Sequence, residues 1–182
     1  MSVFTNRASE SREQAGDYTS AVLGLVGGEK PIAVLKRTKT ALRRAISGLT
    51  PKQLARPEAP GKWSMRHVLQ HLVDSEIVWS WRLRIVLAHD RPPLTGYDQD
   101  AFADRLGYEK SNPSLALTEF GVLRDANLRL LGRASPQDLK RVGVHNERGD
   151  ESVEHMMKLY AGHDILHLNQ IKRIRNTVTG KR

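Results

Sequence analysis

The sequence predicts an all-α protein, a bundle of four long helices with short extra helices in the connections. From Lys30 onward, apolar residues recur with the three- and four-residue spacing of amphipathic helices. Stretches that contain proline and glycine separate these periodic segments and end each helix. Strand signals are few, and only Val142 and Val144 suggest an extended segment.

The chain of 182 residues has the length of a single domain with its own hydrophobic core. Residues 1–16 are rich in serine and charge, and we expect them to form a flexible N-terminal segment. The bundle domain is then expected over residues 17–182. Within it, the apolar stretch AVLGLV at residues 21–26 is expected to dock a terminal turn or a short helix on the bundle.

The first long helix begins at Pro31, which suits a first helical turn, and ends near Gly48. Steps of about 100° per residue divide its surface into an apolar face and a basic face. The apolar face comprises Val34, Leu35, Ala41, Leu42, Ala45, Ile46 and Leu49. The opposite face comprises Lys36, Arg37, Lys39, Arg43 and Arg44.

Helix-start signals predict the next helices. Ser64 is a good N-cap for a second long helix that runs to about Ala88, where the prolines and glycine of DRPPLTGYDQD end it. A short helix is expected over residues 99–106. The third long helix opens at the N-cap Asn112, which a proline follows, and it ends near Gly132.

Two histidines lie four residues apart on the last long helix, which Ser152 caps and which continues to about Val178. His163 and His167 fall within the apolar stripe that contains Ile171, so we expect both to point into the bundle. An unpaired buried polar group costs on the order of 1–3 kcal/mol. Hydrogen bonds within the core would satisfy the two imidazoles, and so would a divalent metal, because i and i+4 residues lie one turn apart on one face.

A third ligand is predicted on the second long helix, where His67 and His71 form another pair with the same spacing. His71 lies on the flank of that helix's apolar stripe, where an adjacent helix can meet it, whereas His67 falls nearer to solvent. We therefore predict that His71, His163 and His167 form a metal site.

The stretches APGKWSMRHVLQHLVDSE and AGHDILHLNQI resemble the second-helix and last-helix motifs of the DinB-like superfamily of metal-binding four-helix bundles. The connecting GVHNERGDESVEHMMKLYAGHD is similar to the family's approach to its last helix, and the resemblance extends over residues 17–178. It implies an up-down-down-up bundle with a long crossover, a homodimer, and His71, His163 and His167 as the family's metal triad. The superfamily also contains S-transferases and isomerases that use bacillithiol, mycothiol or related thiols, so the resemblance does not supply a substrate.

Three neutral imidazoles leave one or more positions of a bound ion open to water or substrate, which is typical of a catalytic site. All-imidazole ligation suits zinc or nickel first, and iron and copper are also compatible. The ion could activate a water for hydrolysis or hold a thiolate for transfer, in which case a low-molecular-weight thiol is a cosubstrate.

Four further residues lie close enough in sequence to the predicted ligands, or in the stretch that leads to the last helix, to be candidates for a role at the site. Tyr160 is either a hydrogen-bond donor on the open side of the ion or an aromatic core residue. His145 is either an acid or base, or a loop residue without a role. Asp74 is either a group that orients an imidazole or a solvated charge, and for Asp164 we expect a surface position.

Composition limits the classes of function. The absence of cysteine excludes disulfides, thiolate metal sites and a cysteine nucleophile. The chain has 29 lysines and arginines against 20 acidic residues, a net charge of +9, which keeps nucleic acid or another polyanion as an alternative partner. No secretory signal and no apolar run of membrane-spanning length is visible, so we expect a cytoplasmic protein without a membrane partner.

The predicted function is a divalent-metal-dependent enzyme, an S-transferase or a hydrolase that acts on a small molecule. The alternative is a non-catalytic, stress-related binding protein that uses its basic helices on nucleic acid or another polyanion. Lys172, Arg173 and Arg175 would add to the basic surface of that alternative. A third interpretation is that the protein is a helical bundle that binds a metal ion but has no catalytic activity.

Overall fold

The computed structural model describes residues 12–180 and confirms the predicted helical bundle. The helices are α1 Arg12–Val26, α2 Pro31–Ile46, α3 Pro51–Ala55, α4 Met65–Ala88, α5 Gln99–Arg105, α6 Pro113–Leu131, α7 Pro136–Leu139 and α8 Val153–Thr179. The strands are β1 Pro93–Leu94, β2 Val142–His145 and β3 Gly149–Ser152. The four long helices of the predicted bundle are α2, α4, α6 and α8.

Side-chain caps fix where three of these helices begin. The hydroxyl of Ser64 accepts the backbone N–H of His67 at the start of α4. Asn112 Oδ1 accepts backbone N–H groups of α6, and Ser152 Oγ accepts that of His155 in α8. These are the capping residues that the sequence predicts, and they satisfy donors that the first helical turn leaves open.

The four bundle helices are arranged so that α2 and α4 each pack on both α6 and α8. Because of this arrangement, α2 and α4 occupy opposite corners, and the ligand-bearing helices α4 and α8 are neighbours. Two clusters of buried apolar side chains fill the bundle, one around Leu69, Phe120 and Ile171 and one around Trp79 and Met156. Both clusters include side chains of α4 and α8, the helices that carry His71, His163 and His167.

A small sheet joins the two long connections of the bundle. Strand β1 pairs in parallel with β2, and β2 pairs antiparallel with β3, so that the strand order is β1-β2-β3. The predicted extended segment at Val142 and Val144 is therefore confirmed as β2. The sheet also anchors the segment that follows β1, because Asn146 Oδ1 accepts the Gly96 N–H at 2.9 Å.

Helix α1 is longer than the terminal turn or short helix that the sequence predicts. It begins at Arg12, before the expected boundary at residue 17, whereas residues 1–11 of the expected flexible segment lie outside the described residues. The helix packs on α8. The contact is closest at Gly162, where a Cβ would lie 2.1 Å from the carbonyl oxygen of Val22. Glycine at this position allows the two backbones to approach.

We expect the Gly162→Ala substitution to destabilise the protein by roughly 1–3 kcal/mol, because a backbone carbonyl gives less readily than a flexible side chain. Urea unfolding at neutral pH measures the change. Gly24→Ala is the matched control, since Gly24 lies on the partner helix with nothing within 4 Å of its added Cβ. That control is expected to be neutral or stabilising by up to about 1 kcal/mol. Equal free energies of unfolding for the two variants would contradict the close contact.

Candidate metal centre

Helices α4 and α8 bring three histidines together. His163 Nε2 lies 3.1 Å from His71 Nε2 and 3.1 Å from His167 Nε2. Candidate ligand atoms of the three residues all fall within 4.8 Å of one another. His71 and His167 are buried, and His163 is partly buried. The structure thus assembles the three residues that the sequence selects, and it leaves His67 outside the cluster, with its Nδ1 2.8 Å from Ser64 Oγ.

The contacts among these nitrogens suit a cation better than they suit hydrogen bonds. A neutral imidazole carries its hydrogen on one nitrogen, so His163 Nε2 can supply at most one hydrogen to its two neighbours. Two metal bonds of about 2.0–2.1 Å at a tetrahedral angle separate their nitrogens by about 3.3–3.4 Å. The observed separations are close to that value, and the donor set is the one that zinc and nickel accept.

Burial keeps the three imidazoles neutral. It lowers the pKa of His71 and of His163 well below the usual value of 6.5, and the positive charge of a protonated His167 would lower both further. Burial lowers the pKa of His167 to about 4, although its hydrogen bond to Gln170 opposes the shift. At neutral pH the lone pairs of the cluster are therefore available to a metal ion.

The surroundings of the cluster orient two of the rings. His167 Nδ1 donates to Gln170 Oε1 at 2.8 Å, which leaves the Nε2 lone pair directed at the cluster. His71 packs against the ring of Trp63, with 5.1 Å between ring centroids, and its buried Nδ1 has no hydrogen-bond partner among the described residues. Gln170 is thus the residue that orients a predicted ligand, and sequence reasoning did not select it.

The metal-free protein is expected to lose stability as the pH falls from about 6.5 to 4. Because the folded-state pKa of His167 lies below the unfolded value of 6.5, the unfolded chain binds more protons in this window. His167 alone accounts for roughly 3 kcal/mol of that loss. Urea unfolding at pH 7 and at pH 4.5 measures the loss, and His167→Gln should reduce it while His155→Ala leaves it unchanged. An identical pH dependence in His167→Gln and the parent would contradict the shift.

Asp164 is buried, so the predicted surface position of this residue is wrong. Its carboxylate accepts two hydrogen bonds from Arg124, whose guanidinium also binds Glu76. Arg124 lies beneath the rings of Trp79 and Phe120, at 5.5 and 4.6 Å from their centroids. The charge-assisted hydrogen bonds from Arg124 offset much of the cost of burying Asp164, which is why this carboxylate lies inside the bundle.

A sequence signal for this ion network exists on α6. Arg124 follows Phe120 by four residues and Leu117 by seven, so it falls on the buried stripe of that helix. Glu76 likewise falls between Leu72 and Trp79 on the buried face of α4. A basic and an acidic residue on facing apolar stripes predict a buried ion pair.

A cavity lies on one side of the three histidines. Its volume is about 90 Å³, and since one water needs roughly 10–15 Å³, it holds several waters or the reacting end of a small molecule. The lining side chains include His71, Ser75, Arg82, Tyr97, Arg148, Tyr160 and His163. A second cavity, on the side of His167, is lined by residues that include Tyr18, Trp63, Gln99 and Gln170.

A family model described as the DinB superfamily matches residues 35–171, which include the three clustered histidines. The chain belongs to the DinB superfamily. The resemblance that the sequence motifs indicate is thereby confirmed.

Relatives of this DinB-superfamily member carry names that describe hydrolases. "Putative metal-dependent hydrolase YfiT" of Bacillus subtilis is 28% identical, with 80% of this chain and 84% of that protein covered. A protein of Oceanobacillus iheyensis with the same kind of name is 30% identical over 71% of this chain and 75% of its own. The solved structure of YfiT, described as "a probable metal-dependent hydrolase with an unusual four-helix bundle topology", has a TM-score of 0.77 at 26% identity. That match covers 98% of this chain and 94% of the other.

The remaining sequence candidates occupy different places in this DinB-superfamily member. Tyr160 lines the cavity, as a hydrogen-bond donor near the ion would, and it also stacks on Trp79, as an aromatic core residue would. His145 lies on β2 with its Nε2 3.2 Å from an Arg82 nitrogen, and it does not join the histidine cluster. Asp74 accepts the hydroxyl of Tyr108 at 2.5 Å instead of orienting His71.

The cavity also contains Ser75 and Tyr97, which sequence reasoning missed. Ser75 Oγ lies 2.8 Å from the Tyr97 hydroxyl and 3.4 Å from His71 Nε2. Ser75 follows His71 by one helical turn, which is a usable signal, whereas Tyr97 is placed by the irregular segment after β1. Within residues 12–180, no helix of this DinB-superfamily member combines the length and apolar content that a membrane crossing requires.

Proposed function

We propose that the protein is a metal-dependent hydrolase of a small molecule, with His71, His163 and His167 as the ligands of one divalent ion. The observation that supports this proposal is the convergence of three Nε2 atoms beside a cavity that His71 and His163 line. Three protein ligands leave a coordination position for water or substrate. The names of the relatives agree with hydrolysis, and zinc or nickel is the ion that we place first.

When bound, a divalent ion supplies a Lewis acid and lowers the pKa of a coordinated water to about 7. The side chains of this protein supply the rest of the site. Gln170 holds the tautomer of His167 that presents a lone pair at Nε2. The hydroxyls of Ser75 and Tyr97 offer hydrogen-bond donors beside His71, and the buried rings of Tyr160 and Trp79 restrict access of bulk water.

Hydrolysis and S-transfer are separated by two assays on the same preparation. Protein purified without an affinity tag is analysed for its metal content and then tested on chromogenic esters and amides. The proposal expects about one ion per chain, and hydrolysis that a chelator abolishes and zinc or nickel restores. Turnover that requires bacillithiol or mycothiol would instead assign an S-transferase. Metal below about one tenth of an ion per chain after loading would overturn the metal site itself.

The proposal includes a homodimer, which exposed apolar side chains on two bundle helices support. Ile77 and Trp81 on α4 are 50% and 65% exposed, and Leu115 and Val122 on α6 are 56% and 64% exposed. Light scattering coupled to gel filtration tests this part of the proposal, which expects twice the mass of the chain. Recovery of monomer alone at micromolar concentration would remove the dimer and leave the metal site in place.

The basic face of α2 supports the polyanion-binding alternative less strongly than the histidine cluster supports a metal-dependent enzyme. Arg37 forms an ion pair with Glu29, and Lys39 forms one with Asp125 on α6. Lys36, Arg43 and Arg44 remain exposed on that face without a carboxylate partner among residues 12–180. DNA or RNA affinity that falls steeply with salt would revive the alternative.

A further inference from the structure

Arg82 is a buried cation beside the candidate metal centre. Arg82 is 5% exposed, and it lines the cavity together with His71 and His163. The guanidinium donates to the carbonyl oxygen of Thr95 and lies 3.2 Å from His145 Nε2, both of which are uncharged groups. No carboxylate within residues 12–180 forms an ion pair with Arg82. A buried charge without a counter-ion is unfavourable, so its presence in a cavity points to an anionic ligand.

Arg148 brings a second guanidinium to the same cavity from the segment between β2 and β3. Its Nε and Nη2 bind the carboxylate of Glu151 at 2.6 and 3.1 Å, which fixes the plane of the fork. Burial opposes the shift, but the hydrogen bond from Arg148 and the charges of Arg148 and Arg82 lower the pKa of Glu151. This single buried carboxylate therefore faces two guanidinium groups and does not compensate both. Glu147 also lines the cavity, where its carboxylate lies against Gly96 and forms no ion pair with either arginine among the described residues.

The buried histidine behind the two arginines responds to their positive charge. Burial lowers the pKa of His145 to about 3, and the charges of Arg148 and Arg82 contribute to the shift in that order. His145 therefore stays neutral at physiological pH and supplies no compensating negative charge. The hydrogen-bonded hydroxyls of Ser75 and Tyr97 lie between this positive region and His71. An anion held by the two arginines would also accept hydrogen bonds from the hydroxyls of Ser75 and Tyr97.

We propose that Arg82 and Arg148 form an oxyanion subsite of the active site, and that the substrate carries a carboxylate or phosphate group which this subsite binds. The proposal rests on the proposed function, because it assigns the substrate class of the same cavity. Arg82 supplies a buried positive charge that forms no ion pair within residues 12–180, and Arg148 supplies a second donor of fixed orientation. Guanidinium groups match both oxyanions, which offer two acceptor oxygens in one plane. The cleaved bond of the substrate then lies near the three histidines, within one small cavity.

Calorimetric titration with inorganic phosphate and with acetate tests the subsite without a known substrate. Each anion is titrated into the metal-free and the zinc-loaded full chain, for the parent, Arg82→Gln, Arg148→Gln and Arg129→Gln. Arg129 is the matched control, since it is an exposed arginine at the end of α6. We expect the parent to bind at least one of the anions in both metal states. Arg82→Gln should weaken that binding at least tenfold, Arg148→Gln several-fold, and Arg129→Gln not at all.

The outcomes separate this inference from the proposed function. Metal-free binding that depends on Arg82, in a protein that takes up no metal, supports the subsite and contradicts the metal enzyme. Anion binding that appears only with zinc and is unchanged in both arginine variants overturns the subsite and keeps the metal centre. Absence of binding of either anion up to about 10 mM also overturns it. If circular dichroism shows that Arg82→Gln is unfolded, Arg82→Lys and Arg148→Gln are compared in its place, and unchanged affinity in both overturns the subsite.

Discussion

Replacement of His163 by alanine is expected to lower the affinity of the protein for zinc or nickel on the order of a thousandfold. His163 Nε2 is the central atom of the cluster, since it lies 3.1 Å from both of the other Nε2 atoms. Binding free energies of protein zinc sites are on the order of 10 kcal/mol or more, and three ligands share that energy here. Loss of one ligand therefore removes roughly a third of it, and two imidazoles remain.

Competition with a chromophoric chelator measures this affinity. His155→Ala is the control, because it removes a histidine from the same helix that does not belong to the cluster. The control should bind metal as the parent does, and His71→Ala and His167→Ala should behave as His163→Ala does. If the affinity of His163→Ala stays within about threefold of the parent, the ion does not use this residue.

The substitution Arg124→Met is expected to destabilise the protein by about 3–5 kcal/mol. Arg124 is 1% exposed, and it is held between the carboxylates of Glu76 on α4 and Asp164 on α8. Methionine fills much of the volume but leaves two neighbouring buried carboxylates without a counter-ion. Burial already raises the pKa of Glu76 although Arg124 opposes the shift, so loss of the guanidinium should favour protonation of Glu76.

Urea unfolding at pH 7 and at pH 5 tests this expectation. Lys39→Met is the matched control, since it breaks an ion pair with Asp125 whose side chains are 35% and 45% exposed. That control should cost less than about 1 kcal/mol. The loss of stability in Arg124→Met should shrink at pH 5, where the Glu76 carboxyl group is more easily protonated. Equal losses of stability in the two variants would contradict a buried network.

The two substitutions are connected through helix α8. Asp164 directly follows His163 in the chain, and Glu76 lies on the same helix as His71. By binding both carboxylates, Arg124 fixes the rotation of the two ligand-bearing helices relative to each other. We therefore expect Arg124→Met to weaken metal binding as well as stability, although Arg124 does not belong to the histidine cluster.

The helices and the inward orientation of the three histidines are predictable from the sequence because both depend on local periodicity. His163 and His167 share a face of α8 at i and i+4, and His71 lies at the edge of the buried face of α4. Capping residues such as Ser64 and Ser152 marked where those helices begin. Regular helices carry side chains to predictable positions, so this part of the site could be predicted before the fold was known.

The parts of the site that were not predicted depend on contacts between distant segments. Tyr97 follows a two-residue strand that pairs with β2, about fifty residues later in the chain, and no local period specifies that pairing. Arg82 and Arg148 come from a helix and from a strand connection, and only the tertiary fold brings them to one cavity. The position of Asp164 at the edge of the apolar stripe of α8 predicts a surface site, because that position does not reveal its partner Arg124 on α6.

The packing of α1 on Gly162 has a consequence for how new specificities can arise on this scaffold. Tyr18 of α1 lines both cavities beside the histidines, yet α1 precedes residues 35–171, which match the family model. Part of the lining of both cavities thus comes from a stretch of the chain that is separate from the one that carries the three histidines. A shortened version that starts at Glu29 would keep every proposed ligand and lose one wall of each cavity. Exchange of the first helix alone is therefore a direct route to altered selectivity with an unchanged metal centre.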